Sequence, residues 1–128
     1  MSASRILIVD DEGPLTTLLC HAFEHDGFQV TMANDGIDCM NKVASFRPDV
    51  IIMDIMMPKL DGVDTTKLIR RNRSYGNTII VALSARTDVD TRQRMREAGA
   101  NYFMGKPFAV AKLVACVKQL LNSRAPQQ

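Results

Sequence analysis

Val50-Ile51-Ile52-Met53-Asp54 is a run of four apolar residues, three of them β-branched, that ends on a carboxylate. Nothing in it alternates with polar residues, so both of its faces must be covered, as in a parallel strand buried between two layers. Arg5–Val9 (RILIV) repeats the pattern and runs into Asp10 and Asp11. Residues 78–83 (TIIVAL) repeat it again and run into Ser84. Gln29–Ala33 reads as a weaker second strand, and residues 101–104 as a short fifth.

Amphipathic stretches lie between these runs. Residues 14–25 place Leu15, Leu18, Leu19, Ala22 and Phe23 on one helical face. Pro14 suits the first turn, where a missing N–H costs nothing, and Asp26-Gly27 closes the helix. Ile37, Met40, Val43 and Ala44 give the second helix its stripe, and Arg47-Pro48 ends it. Residues 58–62 are loop-like, a third helix follows to about Arg73, and residues 74–77 form a turn. Residues 87–98 make a polar, weakly patterned helix ended by Gly99. Val110, Leu113, Val114, Val117 and Leu121 mark a last helix before a polar tail at 123–128. The order is (βα)₅, and right-handed crossovers make it an α/β fold with a doubly wound parallel five-stranded sheet.

A chain of 128 residues fits one domain with a real core. A net charge of +2 argues against direct nucleic-acid binding and against a membrane surface as the partner. The basic clusters Arg70, Arg71, Arg73 and Arg92, Arg94, Arg96 read as solvated helix surface. Cys20, Cys39 and Cys116 are odd in number, far apart and set in helical patterns, so they read as free thiols at least half buried. No apolar run approaches the roughly 20 residues needed to span a bilayer. The start lacks a signal-peptide layout, and the expected location is cytoplasmic.

Parallel strands share a direction, so residues just after each strand collect at one edge of the sheet, where ligands of open α/β sheets bind. Asp10 and Asp11 follow the first strand, Asp54 the third, Ser84 the fourth and Lys106 the fifth. Taken singly, each has an ordinary reading. Asp10 and Asp11 are helix N-terminal acids, Asp54 caps a loop, Ser84 leaves a strand and Lys106 faces solvent. Taken together, they bring three carboxylates, a hydroxyl and an ammonium to one place. Crowded carboxylates repel, so one holds a proton or a cation neutralises them. A hard ion such as Mg²⁺ suits such oxygens. Asp54 is then placed as a nucleophile toward phosphorus, with Lys106 and Ser84 facing the phosphoryl oxygens.

The stretch Ile6-Leu7-Ile8-Val9-Asp10-Asp11-Glu12 resembles the opening of response-regulator receiver domains. Asp54-Ile55-Met56-Met57-Pro58 with Lys59-Leu60-Asp61-Gly62 resembles their phosphoacceptor loop, and Leu83-Ser84-Ala85 their fourth-strand segment. Residues 99–103 with Gly105-Lys106-Pro107-Phe108 resemble their fifth-strand signature. The similarity covers residues 5–121, with four motifs in order.

The resemblance implies a flavodoxin-like strand order of 2-1-3-4-5 and a receiver domain over residues 1–123, with 124–128 as a tail or the start of a linker. It implies that Asp54 is phosphorylated by a histidine kinase or a phosphotransfer protein. Asp11, Asp54 and the backbone carbonyl of Met56 would hold Mg²⁺ (or Mn²⁺), with Asp10 acting through a water. Ser84 would be the switch hydroxyl, Lys106 the counter-ion, Phe103 the aromatic switch and Lys106-Pro107 a cis peptide. Output would pass through the face of the fourth helix, fifth strand and fifth helix, residues 87–123, in a monomer or a weak phosphorylation-dependent dimer. The chain would be a phosphoacceptor rather than an enzyme, although it would catalyse its own phosphorylation and dephosphorylation. Phe103 departs from the more familiar Tyr, and Met56 and Arg86 lie where side chains shield or admit water near an acyl phosphate.

Other readings stay open. One is a receiver excised from a transcription factor, hybrid kinase or output enzyme. Another is an aspartate-nucleophile phosphatase, disfavoured because its nucleophile would follow the first strand, where Asp10-Asp11-Glu12-Gly13 stands. A flavin domain is disfavoured by an acidic site where a phosphate cradle needs N–H donors.

Overall fold

The computed structural model describes residues 3–57 and 60–124. Pro58, Lys59 and the tail from 125 lie outside the described residues. Five strands, β1 (Arg5–Val9), β2 (Gln29–Ala33), β3 (Val50–Asp54), β4 (Ile79–Ser84) and β5 (Tyr102–Gly105), alternate with five helices. These are α1 (Gly13–His25), α2 (Gly36–Phe46), α3 (Gly62–Arg71), α4 (Val89–Ala98) and α5 (Val110–Ser123). All strand pairs are parallel, in the order β2-β1-β3-β4-β5. The chain therefore has the expected doubly wound α/β sandwich.

The unbroken apolar strands are explained by what covers them. Ile6, Ile8, Val50, Ile52, Val81 and Leu83 face one layer with Leu19, Phe23, Leu113 and Val117. Leu7, Val9, Ile51, Met53 and Ile80 face the other, with Cys39, Val43 and Ile69. Every residue of β3 and β4 is buried, which makes them the spine on which the site is hung.

Several boundaries and faces differ from the sequence reading. The fourth and fifth strands sit one residue further along than 78–83 and 101–104, so Ser84 and Gly105 are the last residues of their strands. The fourth helix begins at Val89, because the Asp88 carboxylate accepts from the N–H and hydroxyl of Thr91 and caps it. The third ends at Arg71 and passes into a short 3-10 turn, Arg73–Tyr75. Leu18 and Ile37 are 53% and 56% exposed, so neither belongs to a buried stripe. On α2 the inward face is Gly36, Cys39 and Val43 while Ala44 is exposed. A Cβ at Gly36 would strike the Thr65 hydroxyl and Leu60, so α2 approaches α3 through its first glycine. Cys39 is buried and Cys20 and Cys116 are half-buried, all as free thiols.

Arg70 is also not a solvated surface residue. Its guanidinium donates to the carbonyls of Gly99 (3.0 Å), Tyr75 (2.8 Å) and Thr78 (2.8 Å) and to Oδ1 of Asn101 (2.9 Å). The same Asn101 oxygen accepts from the N–H of Ile80 at 2.8 Å. Burial pulls the Arg70 pKa below the ordinary arginine value. One cation thus ties α3 to the ends of α4, β4 and β5.

Candidate functional site

The strand ends deliver the candidate groups. β1 runs directly into Asp10, whose N–H still donates to the Ala33 carbonyl of β2 at 3.1 Å. Asp54 closes β3 opposite Leu83 of β4, and Ser84 pairs in register with Gly105 of β5. Lys106 follows at once, fixed by its own N–H donating to the Ser84 carbonyl at 2.8 Å. The Lys106-Pro107 peptide is cis. A Cβ at Gly62 would lie 2.6 Å from the Asp54 carbonyl oxygen, so the first turn of α3 rests on the backbone of Asp54.

Carboxylate oxygens of Asp10, Asp11 and Asp54 all lie within 4.8 Å of one another. Asp10 and Asp54 are buried and Asp11 is exposed at the rim. The Lys106 ammonium stands among them, 3.2 Å from Asp10, 3.4 Å from Asp54 and 3.3 Å from Glu12. The second Asp10 oxygen accepts from the N–H of Glu12 at 2.9 Å. Asp54 also accepts a long bond, 3.4 Å, from the N–H of Met56.

This crowding shows in the protonation equilibria. Burial, and then the charge of Asp10, push Asp54 up to about 6, against the opposing pull of Lys106 and the Met56 N–H. Burial alone would depress Lys106, but Asp54 and Asp10 outweigh it and hold its pKa above the ordinary lysine value. One ammonium therefore leaves the cluster short of positive charge. Three hard oxygen ligands, two of them buried, are a donor set that suits Mg²⁺ or Mn²⁺.

Ser84 is fully buried, and its hydroxyl oxygen accepts from the N–H of Arg86 at 3.0 Å. Arg86 is mostly exposed and paired with Asp88. Met56 is 58% exposed beside the acids. Phe103 stands apart from the carboxylates, half-buried against Ile55, Val63, Ala82, Met95 and Ala98, with the Arg92 guanidinium 5.7 Å from its ring centre. Tyr102 points the other way, beside Met104 and α5, as strand alternation requires. The sequence reading gave Glu12, Arg92 and Arg70 no role of their own. The available signal for Glu12 was its place just before a helix, where a short polar side chain is usual.

Residues 6–118 match the response regulator receiver domain family. The chain belongs to that family. Response regulator MprA of Mycobacterium avium is 37% identical over 124 residues, covering 96% of this chain and 53% of that protein. MprA of Mycobacterium leprae is 38% identical over 123 residues, with 95% and 53% covered. The chain thus spans about half the length of these curated relatives. The chemotaxis protein CheY4 of Vibrio cholerae superposes with a TM-score of 0.88 at 28% identity, covering 93% of this chain and 99% of that one. The receiver domain of a signal transduction histidine kinase from Syntrophus aciditrophicus superposes at 0.89 with 28% identity, covering 98% and 96%. The chain is a two-component receiver domain, and among the described residues no helix is long and apolar enough to cross a membrane.

Proposed function

We propose that this receiver accepts a phosphoryl group on Asp54 from the phosphohistidine of a histidine kinase or phosphotransfer protein. The observation that carries the reading is the Lys106 ammonium standing between Asp54 and Asp10, beside a third carboxylate at the rim. An Asp54 carboxylate oxygen attacks phosphorus, an O–P bond forms and the P–N bond breaks. The bonding pair leaves with that nitrogen, and the imidazole departs neutral because its other ring nitrogen carries a proton. Lys106 holds positive charge against the phosphoryl oxygens, and the buried Ser84 hydroxyl turns from its N–H partner to donate to one of them. Asp11, Asp54 and the Met56 carbonyl would hold Mg²⁺ or Mn²⁺, with Asp10 acting through a water, and the ion would supply further positive charge to those oxygens. Hydrolysis of the acyl phosphate is set by water reaching Asp54 past Met56 and Arg86.

The added charge, about −1.5 to −2, and three acceptor oxygens bias the end of β4. Movement of Ser84 toward them opens space for Phe103, and the face of α4, β5 and α5 changes shape for an output partner. A monomer, or a weak dimer formed on phosphorylation, in the cytoplasm completes this reading. A second reading, a receiver that works as one module of a longer protein with residues 1–123 as the domain and 124–128 leading into a linker, is favoured by the half-length match to the MprA proteins.

Acetyl phosphate with Mg²⁺ tests the site. Intact-mass measurement should show one phosphoryl group on the natural protein and none on Asp54→Asn. Equal labelling of both would sink the assignment of Asp54.

A further inference from the structure

Glu12 occupies the N-cap of α1, yet its side chain makes no capping hydrogen bond. Ser, Thr, Asp or Asn would satisfy the helix end there, and Glu is too long to do so well. Its carboxylate turns to the Lys106 ammonium instead, at 3.3 Å, and is the exposed member of the three acids around that ammonium. Lys106 has three N–H donors and three carboxylate neighbours, Asp10, Glu12 and Asp54. Asp10 and Asp54 are buried, and Glu12 alone of the three is free to swing into solvent.

We infer that Glu12 is a positioning residue that competes with the phosphoryl group for Lys106 and so limits how strongly the phosphorylated state is held. The inference rests on the phosphoacceptor reading of Asp54. In the unphosphorylated domain the Glu12 carboxylate occupies one of the three Lys106 donors. Once a phosphoryl group stands on Asp54, Lys106 must donate to it, and a carboxylate competing for the same ammonium adds repulsion. The net effect is a bias toward the unphosphorylated state that is tuned from the surface, by a residue touching neither phosphorus nor metal. Because the competing contact is solvent-exposed, its weight is that of a surface pair, about two- to fivefold in an equilibrium, and it is screened by salt.

Beryllium fluoride, a tetrahedral mimic of an aspartyl phosphate, tests this by calorimetric titration with Mg²⁺ present. Glu12→Gln should bind it about two- to fivefold more tightly than the natural protein at low salt. The gain should vanish near 1 M NaCl, where the Debye length is about 3 Å. Glu12→Asp carries the charge, but its shorter carboxylate caps α1 instead of reaching Lys106, so it should keep part of the gain seen in Glu12→Gln. Glu12→Ser should bind as tightly as Glu12→Gln and melt no lower, because serine caps α1 where glutamate does not. A merely structural Glu12 would predict lower melting temperatures and unchanged affinities. Unchanged or weaker binding by Glu12→Gln, or a salt-independent gain, overturns the inference. Binding by the natural protein that survives Asp54→Asn overturns the phosphoacceptor reading itself, and this inference with it.

Discussion

The ammonium of Lys106 lies 3.4 Å from Oδ1 of Asp54, with the two side chains only 16% and 5% exposed. The pair is not isolated, because Asp10 shares the same ammonium at 3.2 Å with its side chain 1% exposed. Two buried carboxylates around one cation leave net negative charge in a place that water reaches poorly. That imbalance is costly to the folded state and gives the cluster a pull on cations, and it leads to the following expectations.

Lys106→Met should destabilise the metal-free protein by about 3–5 kcal/mol, the range for removing one partner of a buried ion pair. In the Asp54→Asn background the same substitution should cost less, because one of the stranded charges is gone. Urea denaturation in EDTA measures both. Additive losses would show that Lys106 and Asp54 do not interact.

The pH dependence follows from Asp54. Its folded pKa, about 6, lies above the ordinary 3.8 because of burial and Asp10. Between those values the folded state holds the proton more tightly than the unfolded chain. The contribution of this group is therefore fully present below about pH 4 and is lost as pH rises through about 6. Asp54→Asn should be more stable than the natural protein by on the order of 1–3 kcal/mol at about pH 7.5 without metal, and no more stable near pH 4. Denaturation curves across this range check it, and a gain independent of pH would contradict it. Added Mg²⁺ should shrink the difference.

Asp11→Ala should remove most Mg²⁺ affinity while changing stability by less than about 0.5 kcal/mol, since Asp11 is exposed. Calorimetric titration with MgCl₂ reads the first effect and thermal melting the second. Unchanged affinity would remove Asp11 from the ligand set.

Arg70→Met should cost about 2–4 kcal/mol, because three carbonyls and the Asn101 oxygen lose a charged donor. Arg70→Lys should recover little, since an ammonium cannot span the same fork of acceptors. Chemical denaturation ranks the three proteins. Full recovery with lysine would mean that charge rather than geometry matters.

Much of this is legible in the sequence, for reasons that differ by residue. Val50–Asp54 announced its burial because a strand covered on both faces has no polar positions to alternate. Asp10, Asp54, Ser84 and Lys106 could be grouped because strand direction alone sends the residues after parallel strands to one edge. The clamp by Arg70 left no such trace, since three of its four acceptors are backbone carbonyls, which every residue type carries. The inward face of α2 is hidden from the sequence because hydropathy favours Ile37 and Ala44, whereas Gly36 lies against α3 by virtue of having no side chain. Glu12 carries no sign of its contact in the sequence, because its partner Lys106 lies 94 residues away.

That separation has a meaning of its own. Asp10 and Lys106, which touch in the finished domain, are 96 positions apart, with every strand but the first begun between them. No fragment, and no partly folded intermediate lacking the fifth strand, can bring the two together. A chain emerging from synthesis thus has no Asp10–Lys106 contact until its fifth strand docks, so the completed site is a record that the whole sheet has closed.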